Sequence, residues 1–177
     1  MPDIIIIAGA PGTGKTTVSE MLRQKLDSPL IDFGDLRIWH LDKNWSNQSA
    51  EEEQMAFENL VFILKNYIKR DYRNIIVTDL KDERVNLLSR SLSPLEVIIF
   101  TLTVRDDKEL KKRVLGERDS GFKNVEGAQV WNKKIIERES FINEYKIDNT
   151  HSDPKKTVNQ IMALLNQKSA GAEQRRT

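Results

Sequence analysis

Residues 4–16 read Ile4-Ile5-Ile6-Ile7-Ala8-Gly9-Ala10-Pro11-Gly12-Thr13-Gly14-Lys15-Thr16. Four β-branched residues in succession, with no polar alternation, describe a strand buried on both faces, as at the centre of a parallel sheet. The run stops at Gly9. From Lys15 to Leu26, Val18, Met21, Leu22 and Leu26 recur at helical spacing. A buried strand, a glycine-rich loop and an amphipathic helix therefore follow one another at the start of the chain.

The loop matches G-x-x-x-x-G-K-[ST] at every fixed position, in the strand-to-helix context that gives this pattern its meaning. Glycines let backbone N–H groups converge on phosphates, and the helix start adds a positive dipole end. Lys15 supplies a charge for β and γ phosphates, and Thr16 a hydroxyl for Mg²⁺. Gly9, Ala10, Pro11, Gly12, Thr13, Gly14, Lys15, Thr16 and Thr17 are thus the expected ATP-binding set. A dinucleotide loop is the competing glycine-rich reading, but the spacing is not G-x-G-x-x-G and a lysine opens the helix.

Outward from the loop, strand and helix alternate. Leu30 to Phe33 is a short strand ending at acids, and Gly34 turns the chain into a segment with Leu36, Ile38, Trp39 and Leu41. After a polar loop over 44–49, Ser49 with Glu52 suits a helix cap, and Phe57, Leu60, Val61, Leu64 and Ile68 follow helical spacing. Asn74 to Leu80 predicts a strand, Asp82 to Leu92 a helix, and Leu95 to Val104 a strand. A basic helix runs from Asp107 to about Arg118, a further helix from Glu126 to Ile142, and a last strand from Tyr145 to Ile147. Asp153-Pro154 opens the final helix. Residues 1–168 form one domain, and the small and charged residues of 169–177 predict a disordered tail.

This alternation predicts an α/β fold of three layers. Its five-stranded parallel sheet is doubly wound, with helices on both faces and ligands at the carboxyl ends of the strands.

Composition narrows the chemistry. The 177 residues contain no cysteine and two histidines, which sets aside disulfides, thiolate zinc sites and thiol nucleophiles. With 28 basic and 27 acidic residues the net charge is +1, so no bulk field holds nucleic acid or an anionic membrane. No apolar run approaches a membrane span, and the leading run is too short and too acidic for a signal peptide. A cytoplasmic protein with a small ligand is expected, as a monomer or homodimer.

The order of motifs from Gly9 to Asn149 resembles the small P-loop kinases, the group of nucleoside monophosphate, shikimate and gluconate kinases. The resemblance covers residues 3 to 167 and implies the strand order 2-3-1-4-5 for the sheet. Phe33-Gly34-Asp35-Leu36-Arg37 looks like the segment that opens the acceptor site of adenylate kinases, although its arginine falls one position early. By that resemblance Asp35, Arg37 and Trp39 face the acceptor, with His40 and Trp45 nearby, and Asp35 is catalytic; helix capping is the alternative for Asp35. Asp32 and Asp79, each ending a strand, are expected with Thr16 around Mg²⁺.

Leu110 to Arg118 resembles the arginine-bearing lid of these kinases, with Arg113 and Arg118 as catalytic cations, Arg138 as a further candidate, and the lid over about 116–127. Asn149 and Thr150 resemble the loop against the nucleotide base, while His151 reads as a turn residue. Trp131, spaced with Ile135 and Ile142, reads as core.

The resemblance implies an ATP- and Mg²⁺-dependent phosphotransferase acting on a small molecule, with a lean to a nucleotide or nucleoside. A kinase of a sugar, cyclic acid or antibiotic hydroxyl is the alternative within the class. A regulatory ATPase of the AAA type and a nucleotide-binding module without catalysis are the alternatives outside it.

Overall fold

The computed structural model describes residues 1–116 and 122–173. In chain order the elements are β1 (Ile4–Gly9), α1 (Lys15–Leu26), β2 (Leu30–Asp32), α2 (Phe33–Ile38), α3 (Ala50–Ile68), β3 (Ile75–Thr78), α4 (Asp82–Ser91), β4 (Val97–Thr103), α5 (Asp107–Leu115), α6 (Val125–Glu137), β5 (Glu144–Asp148) and α7 (Pro154–Glu173). The strands pair in parallel in the order β2-β3-β1-β4-β5. Both the architecture and the strand order agree with the sequence reading.

The isoleucine run is the reason β1 lies in the middle. Ile4, Ile5, Ile6 and Ile7 are each 0% exposed, and successive side chains enter opposite layers. Ile4 and Ile6 pack with Phe57, Leu60 and Leu64 of α3 and Val85 and Leu88 of α4. Ile5 and Ile7 pack with Val18 and Leu22 of α1 and Val158, Ile161 and Leu165 of α7. Burying a side chain of this size contributes roughly 1.5–3 kcal/mol, so a strand of four sets the sheet's centre.

Two boundaries differ from the pattern read in the sequence. α6 ends at Glu137 rather than Ile142 because Arg138 turns into extended backbone, and Ile142 is 86% exposed. Arg138 then spends its guanidinium on Asp82 (2.6 and 2.8 Å) and Glu144 (both 2.7 Å), with the ring of Phe141 3.7 Å from its central carbon. α7 continues to Glu173, past the Ser169 where fraying is predicted; residues 174–177 lie outside the described part. Among the described residues no helix is long and apolar enough to cross a membrane.

Candidate active site

The carboxyl ends of β1, β2 and β3 bring the phosphate loop and two aspartates together. Gly9 has φ +139°, and a Cβ there would lie 2.5 Å from the Leu102 carbonyl oxygen and 2.6 Å from Thr13 Oγ1. Only glycine permits that approach to β4. Thr13 is buried and donates its hydroxyl to the Ala10 carbonyl (2.9 Å), closing the loop on itself. Gly14, at φ +99°, precedes a helix whose first turn has neither a side-chain cap nor an acid. Its leading N–H groups are therefore suited to an anion.

The far end of the sheet anchors this loop. Asn149 Nδ2 donates to the Thr13 carbonyl (2.7 Å), and Thr157 Oγ1 donates to Asn149 Oδ1 (2.6 Å). Lys15 Nζ donates to the Ala10 carbonyl (3.4 Å) and lies 4.0 Å from Asp79 Oδ1. Thr16 and Thr17 are exposed beside it.

Asp32 ends β2 and caps α2 by accepting the Gly34 N–H (2.8 Å). Asp79, just past β3, holds the left-handed backbone at φ +64°, which a residue with a Cβ adopts at a cost. The two carboxylates converge on Gly34: a Cβ there would lie 3.0 Å from Asp79 Oδ2 and 3.1 Å from Asp32 Oδ1. Burial first, then the charges of Asp79 and Asp35, push Asp32 up to about 6, against the pull of the Gly34 N–H and Lys15. Burial, with a smaller push from Asp35, also raises Asp79 against the pull of Lys15 and Arg37. As 56% of the Asp79 side chain stays accessible, that burial comes from the walls of an open site.

Two mutually repelling carboxylates and the hydroxyl of Thr16, next in the chain to Lys15, are a hard-oxygen donor set. Mg²⁺ takes one or two carboxylates and completes its octahedron with waters and phosphate oxygens. Among the described residues no group of three or more acids or histidines could cage a metal alone. Asp32, Asp79 and Thr16 therefore fit an ion shared with a triphosphate.

The acceptor-side expectations fare unevenly. Asp35 is exposed in the first turn of α2, and the capping role that competes for it belongs to Asp32. Arg37 is buried in a two-pronged pair with Glu52 (3.2 and 2.8 Å), with Trp45 5.4 Å away over its guanidinium. Glu52 takes the Nε–Nη2 edge of the guanidinium and so fixes the orientation of this side chain. Trp39 is 68% exposed, and His40 is half-buried with Nε2 unpartnered among the described residues.

Arg113 lies within α5, ahead of the expected lid of 116–127. It donates to Glu109 (2.7 Å) and to the carbonyls of Asn149 (2.9 Å) and Thr150 (2.6 Å), so it braces the β5–α7 loop. Arg118 and residues 117–121 of the expected lid lie outside the described residues. Arg138 is a structural clamp, and His151 is an exposed bend residue. Thr150 is buried, with its hydroxyl accepting the Arg105 N–H (2.8 Å).

Several residues escaped the sequence reading. Glu52, read only as a partner in the cap with Ser49, holds Arg37, and its neighbour Glu53 holds Lys81 (2.6 Å). Ser49 caps α3 as its sequence suggests, accepting the Glu52 N–H (3.0 Å). Among the described residues Trp131 is half-buried and lies outside the three apolar clusters, where its spacing predicts core. No local signal marks these long-range pairings.

A family model described as an AAA domain matches residues 5–132. A protein of Pyrococcus abyssi named "Putative adenylate kinase" is 26% identical over 171 residues, covering 92% of this chain and 83% of that protein. Among solved structures, a gluconokinase from Sinorhizobium meliloti matches with a TM-score of 0.71 and 16% identity, covering 97% of this chain and 96% of the other. The thymidylate kinase of Candida albicans matches at 0.66 and 18%, covering 95% and 92%. Both structural likenesses are likenesses of fold.

Proposed function

We propose that this chain, which belongs to the AAA domain family, is an ATP-dependent phosphotransferase that moves the γ-phosphate of ATP to a small-molecule acceptor. The observation that carries the reading is the convergence of Lys15, Asp79 and Asp32 at the mouth of the phosphate loop, with Lys15 Nζ 4.0 Å from Asp79. The adenylate kinase name of the Pyrococcus relative supports it.

Backbone N–H groups of Gly12 to Thr16 hold the phosphates, and Lys15 offsets charge that spreads over the transferred oxygens. Thr16, Asp32 and Asp79 would hold Mg²⁺, which when bound supplies charge neutralisation at the β and γ phosphates. To Asp35, exposed and without an ion-pair partner among the described residues, this reading assigns the proton of a hydroxyl acceptor. Arg118 is our candidate for the closing cation, and closure excludes the water that would turn transfer into hydrolysis. A nucleotide or nucleoside is the favoured acceptor, ahead of a sugar, cyclic acid or antibiotic hydroxyl.

The test is ADP release with mass-spectrometric detection of product across nucleoside monophosphates, nucleosides, sugars and aminoglycosides. We expect one phosphorylated class, with turnover reduced by about 10² or more in Lys15→Ala, the order seen when a transition-state charge donor is lost. Near-normal turnover in that variant would overturn the active-site assignment. Lys15-dependent hydrolysis with no phosphorylated acceptor would favour a regulatory ATPase.

A further inference from the structure

Two residues in the segment that follows β3 break local rules. Asp79 holds φ +64°, the left-handed backbone that a residue with a Cβ keeps only where its surroundings over-determine it. Two positions on, Lys81 is the N-cap of α4 and gives that helix no side-chain cap. The N-cap favours Ser, Thr, Asp or Asn, whose oxygens accept the first free N–H groups, and it disfavours a cation because the helix start is already positive. Departures of this kind from local preference gather at functional and strained sites.

The contacts around the segment account for both. Thr78 Oγ1 donates to the Ile7 carbonyl (3.2 Å), which ties the end of β3 to β1, and Leu80 is buried with apolar residues of α3 and α4. Lys81 Nζ lies 2.6 Å from Glu53 Oε2 on α3, and Arg84 Nε lies 3.6 Å from the other oxygen of Glu53. Asp82 accepts from Arg138 Nε (2.6 Å) and Nη2 (2.8 Å), while Arg138 also holds Glu144 of β5. The chain leaving Asp79 is thus tied to α3 by Lys81 and to the α6–β5 junction by Asp82. These two residues lie within about 7 and 11 Å of Asp79 along the chain, and Asp79 Oδ1 is 4.0 Å from Lys15 Nζ.

Resting on the reading of Asp79 as a Mg²⁺ ligand, we propose that Lys81 and Asp82 are positioning residues for that aspartate. Their pairs with Glu53 and Arg138 hold Asp79 in its left-handed backbone and so keep its carboxylate beside Lys15 at the mouth of the phosphate loop. Each acts through the backbone of Asp79, without touching metal or nucleotide. A lysine at the N-cap, unfavourable for α4 alone, is explained by its reach to Glu53.

The test reads metal binding without turnover and needs no acceptor. Binding of Mn²⁺ to the protein with a non-hydrolysable ATP analogue is followed by electron paramagnetic resonance, and binding of the analogue alone is measured by calorimetry in EDTA. The variants are Asp79→Asn, Lys81→Gln, Lys81→Arg, Asp82→Asn and Glu83→Gln. Loss of a cation near the site would, by charge alone, tighten a divalent cation, so Lys81→Gln is a test of sign. We expect the opposite, a fall in Mn²⁺ affinity of about 10-fold or more, the scale for groups that orient metal ligands, with affinity in EDTA unchanged. Lys81→Arg, which still reaches Glu53, should restore it. Asp82→Asn should weaken Mn²⁺ comparably, whereas Glu83→Gln removes the same charge from an exposed neighbour and should leave affinity near the wild-type value. With 43% of the Lys81 side chain accessible, Lys81→Gln should fold. Amide exchange over 79–84 in the metal-free variant should quicken while β1 stays protected.

Weaker Mn²⁺ binding in Asp79→Asn with unchanged or tighter binding in Lys81→Gln overturns the inference and leaves the metal reading standing. Wild-type binding in Asp79→Asn overturns the metal reading and the inference with it. Weaker binding in Lys81→Gln with exchange over 79–84 unchanged overturns the inference too, because the segment has then not loosened. An Asp82→Asn effect no larger than that of Glu83→Gln removes Asp82 from the role.

Discussion

Asp32 shows how a single residue is set against its own stability for the sake of a site. Its carboxylate caps α2 yet faces Asp79, and with its pKa pushed up to about 6 the folded state resists its ionisation. A folded pKa above the ordinary aspartate value means the folded state binds the proton more tightly. The protein without nucleotide is therefore most stable below about pH 4 as far as this group is concerned, and loses stability as pH rises through about 6. Asp32→Asn keeps the cap, since asparagine accepts the Gly34 N–H equally well, and removes the repulsion. We expect that variant to be more stable by about 1 kcal/mol at pH 7 after allowance for solvent screening. Its gain should vanish near pH 4 and its turnover should fall; urea titrations at the two pH values with a parallel ADP-release assay check this. The loop motif and strand-ending acids at Asp32 and Asp79 were legible in the sequence, because each is a local pattern. The fates of Arg37 and Arg113 were not, since Glu52 lies 15 residues from Arg37 and the two carbonyls that Arg113 meets besides Glu109 lie 36 and 37 residues away.

At the scale of elements, Arg138 joins the end of α6 to the start of α4 and to β5. Glu144 has a side chain 0% exposed and receives hydrogen bonds from Arg138, Thr101 (2.5 Å) and the Phe141 N–H (2.7 Å). Burial alone would raise its pKa, but these donors outweigh burial and hold it below the usual range. Arg138→Ala strands that charge, and a broken buried pair costs about 3–5 kcal/mol. We expect a loss of that order in urea unfolding followed by far-UV circular dichroism. Arg138→Lys should recover little, because an ammonium cannot grip two carboxylates as a planar fork does. The wild-type contribution should fade as pH falls through the depressed pKa of Glu144, since only the ionised carboxylate pairs. Hydrophobic spacing located α6, yet it overran the helix end by five residues, because the stop comes from this clamp rather than from a local breaker.

For the molecule as a whole, the phosphate loop is held by a residue 136 positions away. Asn149 is buried, accepts from Thr157 and donates to Thr13, so it transmits the position of β5 and α7 to the loop. Asn149→Ala leaves the Thr13 carbonyl and the Thr157 hydroxyl unpaired, at about 1–3 kcal/mol for each buried group. We expect a destabilisation of about 2–4 kcal/mol and weaker ATP binding by calorimetry. If the tether alone is responsible, Asn149→Ala in a Thr157→Val background should cost less than in the wild type. By itself the sequence determined the doubly wound parallel sheet, its central strand and the phosphate loop, while the strand order came from the resemblance. Apolar period, glycine placement and strand–helix alternation are local properties of a chain, and the crossover rule for parallel strands turns them into a layered sheet. Only the tertiary structure decided which charges are spent and which remain for chemistry. Ion pairing depends on distances across the fold, and Arg37, Arg113 and Arg138 find carboxylates or carbonyls there, whereas Asp79 is left accessible beside the phosphate loop.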